Sequence, residues 1–326
     1  MNSLTDPSPR KENPVISVVF SFRNEESNIP TVLKRLDDTF APLACDYELI
    51  FVNDDSTDNS LALLEQANKE NSRIKVVNMS RRWGVAECVM AGFSYTQGDA
   101  VVYMDTDLQD PPELIPQMIE KWRSGADVVN TTRLKRHGEG RFKLWATKKA
   151  YQIINYFSDV EIPMNTGDFK LLDRRVIDKL LELKEDDPFM RGLVRWVGYR
   201  QEVIYYDRDA RFSGETHFPV FSRNPIRAFV NGIVSFSSIP LYFSLFMGML
   251  VSASAFLYLF YIIITRLFFD MHLPGWPAIM ATVLFLGGLI LFTIGIQGLY
   301  VARIYRQVKE RPLYIVQDTL GIDKKA

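Results

Sequence analysis

The sequence predicts an α/β protein in which a doubly wound, mostly parallel sheet is followed by an interfacial helix and two membrane-spanning helices. Short apolar runs of strand length alternate with helical stretches, polar residues follow the ends of these runs, and two long segments near the C-terminus carry no charge. The 326-residue chain is 47% hydrophobic with a formal net charge of −1, which gives no reason to propose a nucleic-acid partner.

Residues 1–14 are polar and rich in proline, so we expect a disordered lead-in and not a signal peptide. The two cysteines, Cys45 and Cys88, lack the spacing of a metal or redox motif. They suit reduced thiols in a cytosolic domain.

Strands and helices alternate through residues 15–222, which we assign to one domain. The predicted strands are Val15–Phe22, Tyr47–Asn53, Ile74–Met79, Ala100–Met104 and Ala126–Thr131. The predicted helices between them are Ile29–Phe40, Ser60–Asn71, Val85–Thr96 and Pro112–Ser124. Continuous apolar strands separated by helices indicate a parallel sheet covered on both faces, and ligands bind such sheets beyond the carboxyl ends of the strands.

Polar side chains follow the predicted strands at these carboxyl ends. They are Arg23-Asn24-Glu25-Glu26, Asp54-Asp55-Ser56-Thr57-Asp58, Ser80-Arg81-Arg82, the cluster that begins at Asp105, and Arg133. Several could cap helices, but caps do not explain why acids and arginines converge on one sheet edge. A Gly-x-Gly-x-x-Gly motif after the first strand and a Walker loop are both missing from the sequence, so neither a dinucleotide fold nor a P-loop enzyme is supported.

The segment after the fourth strand offers ligands for a divalent metal. Alternation along an extended chain puts Asp105, Asp107 and Gln109 on one side, where their oxygens suit Mg²⁺ or Mn²⁺. The alternative is a polar turn in which Asp110 caps a helix and Glu113 completes a capping box. The predicted cap does not require Asp105 or Asp107, so both interpretations stay open on local sequence.

Two segments near the C-terminus are long enough to cross a bilayer. Leu241–Ile264 and Pro277–Ala302 have 24 and 26 residues without a charge, and each would reach roughly 36 Å or more as a helix. We assign spans to residues 239–266 and 276–302, in preference to buried helices of a soluble domain. Glycines in the second span, Gly287, Gly288, Gly295 and Gly298, provide small-residue faces for helix packing.

Charges at the flanks of these spans predict their orientation. The tail, residues 303–326, begins with Arg303, Arg306, Lys309 and Arg311, whereas the connecting loop has Arg266 against Asp270. The positive-inside rule therefore places the tail and the N-terminal domain in the cytoplasm, at the inner membrane. Residues 223–238 have apolar residues at helical intervals and predict an interfacial helix, with a linker helix as the alternative.

Three motifs together carry a family resemblance. They are Val18-Val19-Phe20-Ser21-Phe22-Arg23-Asn24-Glu25, Asn53-Asp54-Asp55-Ser56-Thr57-Asp58 and Asp105-Thr106-Asp107-Leu108-Gln109-Asp110-Pro111-Pro112-Glu113. The chain resembles family 2 glycosyltransferases of the GT-A fold. The two spans and the segment Asn165-Thr166-Gly167-Asp168-Phe169-Lys170 make it similar to polyprenyl-phosphate glycosyltransferases, from about Val15 to Val316.

The resemblance implies an enzyme that moves a sugar from a UDP- or GDP-sugar to a polyprenyl phosphate, undecaprenyl or dolichyl, with inversion at the anomeric carbon. It implies that Asp54 accepts hydrogen bonds from the nucleobase and that Glu25 holds the base or ribose. It also implies a homo-oligomer, a tetramer in the family.

Further roles follow for the diphosphate and the acceptor. Asp105, Asp107 and Gln109 would bind Mg²⁺ or Mn²⁺ at the donor diphosphate, and Arg133 would meet phosphate as a bidentate donor. The lipid phosphate would dock on the loop from Arg211 to His217. Asp168 lies near the implied active site, where it would contact the sugar or a basic side chain; the alternative is a turn acid after Gly167.

The chain departs from the family pattern at four positions. Family members usually have Pro and Tyr where this chain has Ser21 and Arg23, Gly where it has Asp55, and Lys where it has His217. Ser21 and Arg23 belong to the nucleotide pocket, so the identity of the base stays open.

Two rival functions are weighed against this interpretation. A processive polysaccharide synthase shares the GT-A domain, and Arg195-Trp196 matches part of its Gln-x-x-Arg-Trp motif, but Gly192 stands in place of the glutamine and two spans are too few for a channel. A non-catalytic membrane-anchored protein that binds nucleotide sugars is disfavoured by the intact Asp105, Asp107 and Gln109 set.

We predict that the affinity for the lipid phosphate weakens as pH rises through neutrality. An imidazolium at His217 donates to phosphate and loses its charge near neutral pH, unlike the lysine of the family. The Michaelis constant for the lipid phosphate, measured from mildly acidic to alkaline pH, should therefore rise. A constant value over this range contradicts a phosphate-binding role for His217.

Overall fold

The computed structural model describes residues 10–133, 166–206, 237–269 and 275–322, together with residues 152 and 156. Over this part of the chain, eight strands form one sheet in the order β7-β5-β6-β4-β1-β2-β3-β8. The strands are β1 Val15–Phe22, β2 Asp46–Asn53, β3 Ile74–Met79, β4 Ala100–Tyr103, β5 Val128–Arg133, β6 Thr166–Asp173, β7 Gln201–Tyr206 and β8 Val316–Leu320.

Helices cover both faces of the sheet. They are α1 Ile29–Phe40, α2 Ser60–Glu70, α3 Val85–Tyr95, α4 Ile115–Arg123, α5 Arg174–Glu182 and α6 Met190–Trp196, and two longer helices, α7 Ile239–Phe269 and α8 Trp276–Val308, follow β7. Side chains alternate across each strand, so β1 sends Val18 and Phe20 to one core cluster and Val19 to the other. The two clusters confirm a sheet buried on both faces, as the apolar runs of the sequence predict.

The sheet is mixed and mostly parallel, as predicted. The first four strands pair in parallel with one another, but β6 lies between β4 and β5 and runs antiparallel to both. The fifth predicted strand therefore does not pair with the fourth. Because β6 is antiparallel to β4, the start of β6, with Gly167 and Asp168, lies at the edge where β4 ends.

The tail is part of the sheet. Residues 303–326 were predicted to lie beyond the domain, but α8 continues to Val308 and β8 then pairs antiparallel with β3. Two further contacts fix this return: Ser80 N donates to the Ile315 carbonyl at 3.0 Å, and the Tyr314 hydroxyl donates to Ser94 Oγ at 3.0 Å. The last strand of the domain is thus encoded after both long helices.

Residues 10–14 are ordered, so the predicted lead-in ends earlier than residue 14. The Arg10 guanidinium is buried against Asp173 and Asp127 and lies 4.6 Å from the ring centroid of Trp122. It also donates to the Ala126 carbonyl at 2.8 Å. A buried guanidinium with two carboxylates and an aromatic face fixes the chain before β1.

Helices α7 and α8 are long and apolar enough to cross a membrane, by length and composition alone. Phe256, Leu257 and Leu291 are each more than 70% exposed. Beyond the apolar part of α8, Arg306 Nε lies 2.9 Å from Asp186 and Arg303 lies 3.5 Å from Glu185. These ion pairs join α8 to the loop between α5 and α6. The predicted interfacial helix, residues 223–238, falls almost wholly outside the described residues.

A buried carboxylate connects the parallel strands near their amino ends. Glu48 on β2 is 5% exposed and accepts hydrogen bonds from Ser17 Oγ at 2.5 Å, Lys75 Nζ at 2.6 Å and Gln97 N at 2.7 Å. Burial acts to raise the pKa of Glu48, but these donors and the Lys75 charge outweigh it and the pKa is lowered. The carboxylate therefore stabilises the fold.

We predict that Glu48→Gln lowers the free energy of unfolding by about 3 kcal/mol at neutral pH, because Lys75 loses the carboxylate that balances its partly buried charge. The double variant E48Q/K75M should recover part of the loss. Denaturant unfolding of the detergent-solubilised protein measures both values.

The difference in the free energy of unfolding between wild type and E48Q should depend on pH. A lowered folded-state pKa gives stability that is present above the usual glutamate pKa and is lost as pH falls through the folded-state value. The difference between wild type and E48Q should therefore narrow in acid. A difference that widens in acid contradicts this account of Glu48.

Candidate active site

The ends of four strands bring the polar side chains to one edge of the sheet. β1, β2 and β4 are parallel and point to the same edge, where β1 and β2 end at Phe22 and Asn53 and β4 ends at Tyr103, opposite Val19. β6 is antiparallel to β4 with Lys170 opposite Tyr103, so Asp168 lies beyond the end of β4, on the side where Asp105 follows. The sheet topology therefore assembles acids from two distant parts of the sequence.

The acidic segment after β4 is a turn and not an extended strand. The strand ends at Tyr103, Leu108 has a φ of 58°, and Gln109 N donates to Asp107 Oδ1 at 3.2 Å. The prediction that Asp105, Asp107 and Gln109 alternate along an extended strand is therefore wrong. The turn still keeps all three residues at the sheet edge, with Asp107 buried and Asp105 and Gln109 half-buried.

The carboxylates around Asp105 are close enough to perturb one another. Burial raises the pKa of Asp105 to about 8, and the charges of Asp168, Asp107 and Asp110 add to this effect, while Arg133 opposes it. Negative charge thus exceeds positive charge here, and a divalent cation would balance it. In the described ranges, His, Cys, Asp and Glu side chains form no group of three placed to hold a metal. Gln109 and oxygens of a ligand or water would have to complete the set that Asp105 and Asp107 begin.

Asp110 is a buried ion-pair partner and not a helix cap. Its carboxylate, 1% exposed, accepts from Arg133 at 3.2 Å on both oxygens and from the Tyr206 hydroxyl. Burial and the Asp110 charge raise the pKa of Tyr206 to about 12. A 3₁₀ turn, Pro112–Leu114, precedes α4, and Glu113 pairs with Arg35 at 2.6 Å. The predicted capping box is therefore wrong, because both acids have charged partners from other elements.

Arg133 is held in place by these contacts. Its side chain is 11% exposed, and its Nε donates to Tyr206 Oη at 3.1 Å. A Cβ added at Gly167 would lie 3.2 Å from the Arg133 Nη2 atom, so the guanidinium crosses over this glycine. That Arg133 donates hydrogen bonds to a phosphate remains a prediction. The structure shows that its guanidinium also donates to Asp110.

Asp168 has a charged partner that the sequence did not reveal. Arg191 on α6 donates to both oxygens, at 2.9 Å from Nε and 2.5 Å from Nη2. Burial acts to raise the pKa of Asp168, but Arg191, Lys170 and Arg133 outweigh it and hold the pKa far below its usual range. The predicted contact of Asp168 with a basic side chain is thus confirmed, and the alternative of a turn acid is wrong, because Asp168 lies in a strand and forms a bidentate ion pair.

Lys170 is the second residue that sequence reasoning missed. It is 2% exposed in the interior of β6, and burial is the main cause that lowers its pKa to about 8, with Asp168 opposing and Arg191 contributing. One signal could have identified it: a lysine within the apolar run from Phe169 to Leu172 needs a charge partner when the run is buried. The sequence around Arg191 gives no such signal, because only the tertiary structure brings its helix next to Asp168.

The loops after β1 and β2 are joined by hydrogen bonds. Arg23 Nε donates to the Asp55 carbonyl at 3.3 Å, Asn24 N donates to Ser56 Oγ at 3.1 Å, and Glu25 N donates to Ser60 Oγ at 2.9 Å. Asp55 has a φ of 60°, a left-handed conformation that glycine adopts freely and aspartate tolerates. This backbone explains how Asp55 can occupy a position where the resembled family has glycine.

Asp54 lies deeper in the same corner. Its Oδ1 accepts from Trp83 N at 2.7 Å and Gly84 N at 3.3 Å, which fixes the loop after β3. Burial is the main cause that raises the pKa of the Cys88 thiol, Asp54 adds to it and the Ser21 hydroxyl opposes it, so both residues adjoin Cys88. The structure thus brings Ser21, Arg23, Glu25 and Asp54 to one corner of the edge. Arg211 and His217 lie outside the described residues.

Comparisons with known proteins agree with this geometry. Residues 17–181 match the family model described as Glycosyl transferase family 2. The chain is 41% identical over 309 residues to the protein named "Uncharacterized glycosyltransferase YkcC" of Bacillus subtilis (strain 168), covering 95% of each. It is 35% identical over 302 residues to the SfII prophage-derived bactoprenol glucosyl transferase of Shigella flexneri, covering 93% of this chain and 97% of that protein.

Among solved structures, the chain is similar to mannosyl-3-phosphoglycerate synthase from Rubrobacter xylanophilus, with a TM-score of 0.47 and 17% identity. The alignment covers 68% of this chain and 73% of that one.

We predict that Gly167→Ala destabilises the protein through Arg133. The added methyl group meets a guanidinium that Asp110 and Tyr206 prevent from moving away, at a cost of about 1–2 kcal/mol. Gly248→Ala is the matched control, because a Cβ there meets nothing within 4 Å. In a double-mutant cycle with Arg133→Ala, the cost of Gly167→Ala should disappear; strictly additive losses contradict the proposed contact.

Proposed function

The chain belongs to glycosyltransferase family 2 and has the GT-A fold, and from this premise we propose that it transfers a sugar from a nucleoside diphosphate sugar to a polyprenyl phosphate. One observation carries the proposal. Two helices of membrane length lead directly back to the edge of the sheet that holds the acidic site, through the ion pairs of α8 and the pairing of β8. A relative named for bactoprenol as acceptor supports the same assignment.

The corner formed by the loops after β1 and β2 is proposed to bind the nucleoside. Asp54 would accept from the base, and Arg23 and Glu25 would contact the base or ribose, with Ser21 beneath them. Hydrogen bonds between the two loops fix this corner before a ligand arrives. A UDP- or GDP-sugar satisfies this arrangement, since both offer a ring N–H on the base and hydroxyl donors on the ribose.

The diphosphate is proposed to lie over the turn after β4. Asp105 and Asp107, with Gln109, would hold a Mg²⁺ or Mn²⁺ ion there, and the excess negative charge around Asp105 favours such an ion. When bound, the metal would stabilise the negative charge that develops on the departing nucleoside diphosphate. Arg133 adds a positive charge at the same edge, in a position fixed by Asp110.

The acceptor requires orientation more than activation. A phosphate oxygen of polyprenyl phosphate is already anionic at neutral pH, so a dedicated general base is unnecessary. The low pKa of Asp168 agrees with this view, because a carboxylate held by Arg191 is a poor proton acceptor. A single displacement then converts an α-linked nucleotide sugar into a β-linked lipid phosphate sugar.

The proposed acceptor explains why the enzyme would work at a membrane. Withdrawing a polyprenyl chain from a bilayer costs about 0.8 kcal/mol per CH₂ group, so the protein must bring its site to the surface. Helices α7 and α8 would cross the inner membrane with the site and both termini on the cytoplasmic side. The family resemblance extends the proposal to a homo-oligomer, a tetramer.

The test is a transfer assay in membranes that contain the protein. UDP-glucose, UDP-N-acetylglucosamine, GDP-mannose and their relatives are offered with undecaprenyl phosphate, with and without EDTA, and lipid products are separated. We expect one donor to give a lipid-linked sugar and EDTA to abolish the reaction. Transfer to water or protein in place of lipid contradicts the proposed acceptor.

Asp107→Ala should reduce this turnover at least about 100-fold, since it removes an electrostatic contact made to the leaving group. Asp38→Ala is the matched control, because Asp38 is exposed on α1 and distant from the edge. Undiminished turnover of D107A excludes the metal mechanism.

A further inference from the structure

Arg191 holds the Asp168 carboxylate through two hydrogen bonds. The guanidinium donates in parallel to the two carboxylate oxygens, which fixes both the place and the plane of the carboxylate. The two side chains are 30% and 29% exposed, so the pair lies in the wall of the site and not in the core.

A buried cation lies on the same face of the same strand. Lys170 follows Asp168 by two residues on β6, which places both side chains on one side of the sheet. With Arg191 from α6 and Arg133 from β5, it surrounds Asp168 with positive charge, while Asp105 adds negative charge from the end of β4. Asp168 therefore stays a carboxylate.

An ionised carboxylate can only accept hydrogen bonds. Its two oxygens offer about four acceptor positions, and Arg191 occupies one on each oxygen. The remaining positions suit hydroxyl donors, of which a sugar presents several. A metal ion is a less suitable partner for Asp168, because Arg191 already neutralises the charge of the carboxylate.

We propose that Arg191 is a positioning residue that holds the Asp168 carboxylate as a hydrogen-bond acceptor for hydroxyl groups of the donor sugar. This inference rests on the proposed function, since it assumes a nucleotide-sugar donor. Asp168 then senses the sugar, whereas the corner near Asp54 and the turn after β4 hold the nucleotide and its diphosphate.

The test separates sugar binding from nucleotide binding. Isothermal titration of the full-length protein in detergent with Mn²⁺ compares UDP-glucose with UDP, and GDP-mannose with GDP. Wild type should bind the sugar form of its donor about tenfold more tightly than the bare diphosphate. Arg191→Gln should lose this difference and keep its affinity for the diphosphate. Equal sugar preference in wild type and R191Q overturns the proposal.

Two further variants control for folding. Arg195→Gln lies one turn later on the same helix, where Arg195 donates to Gln201 at 3.1 Å, and should retain the sugar preference. Arg191→Lys keeps the charge without the bidentate geometry, so it should restore part of the preference. Loss of diphosphate affinity in R191Q and R191K together indicates a general structural role and overturns the proposal.

A double-mutant cycle decides whether Arg191 acts through Asp168. If it does, R191Q/D168N binds and turns over no worse than D168N alone, and the Michaelis constant for the donor changes while that for the lipid phosphate does not. Multiplied losses in the double variant overturn the proposal. The binding titrations are independent of the acceptor, so failure to form a lipid product in wild type counts against the proposed function alone.

Discussion

The buried ion pair between Asp110 and Arg133 is the constraint on which the shape of the site depends. The acid follows β4 and the base ends β5, but β6 lies between these strands in the sheet, so the contact has to reach across it. Gly167 permits this crossing, since a side chain there would press on the guanidinium. Tyr206 brings in β7 as well. Four strand ends are thereby fixed relative to one another, and with them the separation between Asp105 and Asp168.

The same long-range contacts separate the features that local sequence predicts from those that it does not. Local signals predict β1, β3 and α1 with the correct bounds, because apolar periodicity and flanking turns determine them. The polar edge follows from the same signals, since parallel strands end together. Local sequence could not show that Asp110 pairs with Arg133, because a capping box and a buried ion pair place the same residue types at that position. Strands β6, β7 and β8 were missed for a related reason: their partners are far away in the chain.

Charge is distributed unevenly across the candidate site. The turn after β4 carries Asp105 and Asp107 with an excess of negative charge, whereas β6 and α6 supply Lys170 and Arg191 against the single acid Asp168. A ligand with a metal-bound diphosphate at one end and neutral hydroxyl groups at the other matches this division. Under the proposed function, this arrangement would orient the ligand before any chemistry takes place, because the metal-bound diphosphate would meet the acids after β4 and the sugar hydroxyl groups would meet Asp168.

The pairing of β8 with β3 has a consequence for the order in which the protein is made. Synthesis proceeds from the N-terminus, so β1 to β7 emerge from the ribosome before α7 and α8, and β8 emerges last. Until then β3 is an open edge strand with unpaired backbone groups, a surface that invites pairing with other chains. Completion of the sheet thus waits for both long helices to be synthesised. A ribosome that stops between α7 and β8 would release a chain with this edge unprotected, which gives quality-control proteases a physical feature that distinguishes unfinished from finished molecules.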